Sequence, residues 1–111
     1  MSDKKPPAVN NKNMRIPPQN LDAEQAVLGS IMLKPQTIHE VADFLSGDDF
    51  YAYKHRIIYQ NIMELSAKNN PIDILSLSAI LTEKNVLEQV GGRAYLSELL
   101  NSVPSAANVK F

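Results

Sequence analysis

The residues of this chain whose types could do chemistry are few: two histidines, one pair of adjacent aspartates, and one carboxylate set among apolar neighbours. His39 and His55 fall on separate predicted helices. No HExxH, GxSxG or GxxxxGK[ST] pattern occurs, so no zinc-peptidase pair, nucleophile elbow or phosphate loop is encoded. His55 is expected as a hydrogen-bonded core or boundary residue, and His39 as a solvent-facing one. Asp48 and Asp49 stand in a predicted turn, where aspartates accept hydrogen bonds from nearby backbone amides. Glu24 projects toward the middle of an apolar stripe. A buried carboxylate needs donors or a cation, and the free amides of its own first helical turn could serve, which makes it a structural cap. GGRAYL, residues 91–96, sets a glycine pair before a helix, but with no strand ahead of it the pair reads as a turn. No catalytic, cofactor-binding or metal-binding residue is assigned.

The elements that hold these residues are helical. Pro17 and Pro18 keep the chain extended, so the first helix starts after them, with Asn20 as N-cap and Asp22 and Glu24 in a first turn that favours acids. Leu21, Val27, Leu28, Ile31 and Met32 make one broad stripe. Ala23, Ala26, Gly29 and Ser30 make a small-residue face opposite. A glycine inside a helix costs about 1 kcal/mol relative to alanine, so Gly29 implies a close backbone contact and a central helix with neighbours on both sides.

Pro35 suits the first position of a second helix, with Ile38, Val41, Ala42 and Leu45 inward and Gly47 as its stop. Phe50 and Tyr51 are expected to plug the core edge. The longest helix runs from about Tyr53 to Asn69, burying His55, Ile58, Tyr59, Ile62 and Leu65. Asp73 caps a fourth helix, Ile74 to about Lys84, with Ile74, Leu77 and Leu81 inward. A short helix spans Arg93–Asn101, and Ser105 onward resembles a helix start cut off at Phe111, as in a fragment of a longer polypeptide. The expected fold is an all-α compact bundle of about five to six short helices with no sheet.

Composition narrows the function. The chain has 111 residues and no cysteine, with 44% hydrophobic and 21% charged residues, which fits one folded domain in a reducing cytoplasm. No apolar run is long enough for a membrane span. Residues 1–20 carry four basic side chains against Asp3, while the rest carries seven basic and eleven acidic ones. A folded body with that balance is a poor platform for duplex DNA. Residues 1–14 form a basic leader too polar to build a core. The apolar residues left over from the inward stripes, including Leu75, Ile80, Ile57 and Met63, are candidates for a partner surface.

Five segments, IPPQNLDAEQAVLGSIML, DDFY with a following HRIIY, PIDILSL, VGGRAYL and NSVPSAANV, occur in this order. Together they resemble the N-terminal domain of the bacterial replicative DNA helicase, the DnaB family, over residues 15–111. The resemblance implies a helical globular head at 15–102 and, at 103–111, the start of a helical hairpin leading to a motor domain that would hold ATP and magnesium. It implies a domain without catalysis that docks the C-terminal helicase-binding domain of primase and packs in the collar of a hexamer, often as dimer pairs. A helicase loader is a further partner it leaves open. Leu75, Ile80 and Tyr95 are the expected partner-binding residues, with Gly29, Asp73 and Pro35 structural. Two competing readings are a helix-turn-helix regulator, for which Lys54–Lys68 would be the recognition helix, and a small enzyme.

Overall fold

A computed structural model describes residues 20–103. The basic leader, Pro17, Pro18 and the segment from Pro104 lie outside the described residues. Among the described residues five helices follow in order: α1 (Leu21–Leu33), α2 (Thr37–Val41), α3 (Tyr53–Ala67), α4 (Ile74–Glu83) and α5 (Gly92–Asn101), with a 3-10 turn at Gly47–Asp49. There is no strand among the described residues. The all-α expectation holds.

The helix ends follow local chemistry. The Asn20 side chain accepts from the Ala23 amide at 3.0 Å, and that of Asp73 from the Ser76 amide at 2.8 Å; each satisfies one first-turn donor that has no partner within its helix. α3 and α4 both stop on an asparagine in the left-handed region, Asn69 (φ 59) and Asn85 (φ 61). In each case the two following amides return to the last turn: Asn69 to Ser66 and Asn70 to Leu65, Asn85 to Thr82 and Val86 to Leu81. This is the Schellman arrangement, with asparagine in the place glycine usually takes.

The second helix is shorter than its apolar spacing predicts. Pro35 lies in the turn before it, where its carbonyl accepts from the Ile38 amide. Helix geometry ends at Val41, and the chain continues in turns that place Leu45 in the core. Gly47 opens the 3-10 turn instead of stopping a helix. Asp49 holds that turn by accepting from the Ser46 amide at 2.7 Å, the capping role expected of the aspartate pair.

The core is one cluster to which every helix contributes. Leu28, Ile31, Phe50, Ile58, Ile62, Leu77, Leu81, Leu96 and Leu99 are fully buried within it. α1 packs against α5, α3 and α2, the central placement its two-faced composition predicts. The tightest approach is at Gly29. A Cβ built there would collide with the Leu99 carbonyl and lie 2.5 Å from Val103 Cγ2, so only glycine lets α1 and α5 come this close. Tyr59, on α3, crosses the core to donate its hydroxyl proton to the Leu45 carbonyl at 2.7 Å.

Two measurements test this packing. Gly29→Ala, which should help an isolated helix by about 1 kcal/mol, should instead lower stability by about 1–3 kcal/mol through overpacking. A denaturation midpoint equal to or above that of the parent would contradict the close approach. The second concerns alkaline pH. Burial, then the nearby Asp49 charge, pushes the Tyr59 phenol from 10.0 up to about 12. The unfolded chain therefore releases this proton near pH 10 while the native state keeps it. The stabilisation is complete below pH 10 and lost as pH rises toward 12. Tyr59→Phe should flatten that alkaline loss in a series of melting curves from pH 8 to 12.

Candidate functional site

Three first turns meet at one corner of the molecule. Glu24 is in the first turn of α1, His55 in that of α3 and Tyr95 in that of α5. His55 Nδ1 lies 2.7 Å from Glu24 Oε1, and His55 Nε2 lies 2.5 Å from the Tyr95 hydroxyl. Gln25 Nε2 donates to the same hydroxyl at 3.0 Å. The two rings lie nearly parallel, with centroids 5.9 Å apart, and Phe50 meets His55 edge-on.

Glu24 does more than the sequence suggests. It is fully buried, and it serves a helix other than its own: Oε2 accepts from the Tyr51 amide at 2.5 Å and Oε1 from the Ala52 amide at 3.3 Å. Ala52, the residue just before α3, has no side chain able to cap, so a carboxylate from α1 supplies acceptors and the negative charge that a helix N-terminus favours. The expectation of a cap within α1 is thereby corrected. Asn20 already occupies that role, and the stripe turns Glu24 inward toward α3. His55 is the hydrogen-bonded core residue expected, and His39 is exposed as expected.

A hydroxyl, an imidazole and a carboxylate in line have the geometry of an activated nucleophile. In this cluster Glu24 and His55 are fully buried and Tyr95 keeps 8% exposure. Burial pushes the Tyr95 phenol up, and the negative charges of Glu98 and Glu24 push the same way, against the bond from Gln25. Among the described residues no group of three or more His, Asp or Glu side chains could hold a metal. No described helix is long and apolar enough to cross a membrane.

The outer side of this corner is open. Lys54 places its Nζ 3.8 Å from the centre of the Tyr95 ring, within cation–π range. Tyr51 and Tyr53 are 58% and 67% exposed, and Leu21 is exposed as well. The sequence reading assigned Tyr51 to the core edge with Phe50; Phe50 is buried there, and Tyr51 faces outward. In YAYKHR, Tyr51 and Tyr53 are exposed, Ala52, Lys54 and Arg56 half-buried, and His55 buried.

The expected partner-binding residues separate. Leu75 is 69% exposed and borders a groove of about 490 Å³ with Ala79, Thr82, Leu87 and Arg93. Ile80 is only 8% exposed. It falls off the main stripe of α4 yet is covered, because α3 packs against α4 and the Lys84 ammonium, one turn on, reaches Glu64 of α3 at 2.5 Å. Ile57 is buried and Met63 packs against the core. Tyr95 is 8% exposed, with its edge at the open corner. Lys54–Lys68, the nominal recognition helix, buries seven of its fifteen residues, and its exposed residues Gln60, Ala67 and Lys68 include one basic side chain, short of the basic and amide-rich face that groove reading needs.

Glu24→Gln tests the buried carboxylate. It keeps the size but presents an amide N–H₂ toward donors, so stability should fall by about 2–4 kcal/mol. Unchanged thermal midpoints would show that the charge is not needed at the head of α3.

A family model for the DnaB-like helicase N terminal domain matches residues 16–111. The replicative DNA helicase DnaC of Bacillus subtilis is 42% identical over 99 residues, which are 89% of this chain and 22% of that protein. The replicative DNA helicase DnaB of Haemophilus influenzae is 43% identical over 108 residues, 97% of this chain and 22% of that protein. The chain thus spans 22% of the length of these two relatives. The crystal structure of the N-terminal domain of DnaB helicase from Mycobacterium tuberculosis matches with a TM-score of 0.77 at 39% identity, covering 84% of this chain and 67% of that one. With the helical core, the buried first-turn cluster and these matches in place, the chain belongs to the DnaB-like helicase N-terminal domain family.

Proposed function

We propose that this domain is a docking and assembly module of a replicative helicase. It seats the C-terminal helicase-binding domain of primase and packs beside other copies of itself in the collar of a hexamer. Unwinding, ATP and magnesium belong to a motor domain that follows the head in the full-length protein. The observation that carries the reading is the contrast at the three-helix corner. Its Glu24 and His55 are buried inside, while Tyr51, Tyr53 and Lys54 stand on the rim.

Tyrosines are enriched among the residues that dominate interface energetics, because they bury a large apolar body and still offer a hydroxyl. Tyr51, Tyr53, Lys54 and the edge of Tyr95 form the proposed primase face. Leu75 and the groove along α4 form a second apolar surface, suited to a neighbouring copy. A helicase loader would compete for one of these two. The acidic balance of residues 21–111 argues against direct duplex binding, and the module acts in the cytoplasm at replication forks.

Calorimetric titration with the primase C-terminal domain, with light scattering to establish the mass of the complex, tests this. The parent should bind, and Tyr53→Ala should weaken binding about tenfold or more without changing the melting temperature, since its side chain supports nothing inside. Leu75→Asp should leave that affinity intact. Binding indifferent to Tyr53 would remove the corner from the interface, and nucleotide hydrolysis by the purified domain would overturn the non-catalytic reading.

A further inference from the structure

The corner is a continuous chain of polar contacts. Gln25 presents its amide nitrogen to the Tyr95 hydroxyl, so that oxygen accepts there and must send its own proton elsewhere. The other polar side-chain atom bonded to it is His55 Nε2. With a singly protonated ring, Nε2 then accepts and the imidazole carries its proton on Nδ1, which donates to Glu24. Glu24 completes its shell with the Tyr51 and Ala52 amides. The chain of donors runs in one direction, from Gln25 through Tyr95 and His55 to Glu24. It couples the first turns of α1, α3 and α5.

The other sides of Tyr95 are constrained as well. Gly91, in the left-handed region at φ 108, packs so closely that an added Cβ would stand 2.7 Å from Tyr95 Cβ. Lys54 lies on the ring. Tyr95 is thus held at its hydroxyl and packed at its Cβ, with the Lys54 ammonium over its ring.

We propose that His55 and Glu24 are positioning residues for docking. They fix the Tyr95 phenol, and through it the Lys54 ammonium beside the exposed tyrosines, without touching the partner. This rests on the corner being the docking face. A preformed contact surface avoids the cost of immobilising side chains on binding, so loosening Tyr95 from within weakens a partner that meets only its edge.

The test is a double-mutant cycle read by affinity for the primase C-terminal domain. Tyr95→Phe keeps the ring beneath Lys54 and removes only the hydroxyl. His55→Phe keeps a buried ring and removes both nitrogens. Each should cost about tenfold, and the double variant should cost no more than either single one, the signature of residues acting as one network. His55→Gln retains a donor and an acceptor and should recover most of the loss. In the parent, side-chain ¹⁵N spectra should show His55 protonated on Nδ1 with Nε2 accepting, and Tyr95→Phe should change the Nε2 signal. These two readouts carry the test if His55→Phe does not fold. Additive losses, or parent affinity in Tyr95→Phe while Tyr53→Ala is impaired, would overturn the positioning role and leave the docking face standing. Parent affinity in Tyr53→Ala would remove the docking face itself, and this inference with it.

Discussion

A carboxylate taken fully out of water costs several kcal/mol unless its surroundings replace the lost hydration. In this domain that carboxylate is Glu24, and its replacement shell comes from another stretch of chain: the Tyr51 and Ala52 amides just ahead of α3, and His55 in its first turn. None of these donors is in place until α1 and α3 have docked. The charge therefore penalises every partly assembled arrangement and is accommodated only in the complete one. The N-termini of three helices point their positive ends into the same corner. A carboxylate there suits that convergence, which gives a physical reason for a glutamate among the buried residues.

Gly29 extends the same constraint along the molecule. Glu24 reaches Tyr95 through His55, and five residues further along α1 Gly29 lies against Leu99, four residues further along α5. The two helices thus run side by side in the same direction, with contacts at two points about a turn apart. A larger residue at 29 would spread them and pull Tyr95 from His55. Close backbone packing and buried hydrogen bonding are therefore one arrangement and are not independent contributions.

Much of this was legible in the sequence where the cause is local. Asn20 and Asp73 cap as their side chains dictate, and Gly29 marked the close contact because glycine inside a helix needs a reason. What escaped was non-local. A helical stripe shows which side of a helix is apolar, not how many neighbours cover it, so Ile80 looked exposed until α3 was found against that side of α4. Glu24 was recognised as a cap, but its amides lie 27 and 28 residues away. α2 was overextended because apolar spacing continues through Leu45, while the backbone turns earlier to bring that residue inward. Tyr51 was misplaced because two adjacent aromatics in a connector cannot both face one core, and nothing local decides which does.

Tyr51 also joins the interior to the surface. Its amide is one of the donors held by Glu24, and its side chain is among the most exposed of the large apolar groups. A backbone pinned at the amide leaves the tyrosine ring a narrow range of directions, and the core behind is already filled by Phe50. The ring faces outward at the residue whose amide solvates the Glu24 carboxylate. Tyr53, two residues on, begins the helix whose N-terminus that bond completes. A surface built this way is rigid because the interior demands it, and a partner meeting it pays little of the ordering cost that loops impose on association. The polar groups most like catalytic machinery thus hold the backbone from which Tyr51 and Tyr53 project.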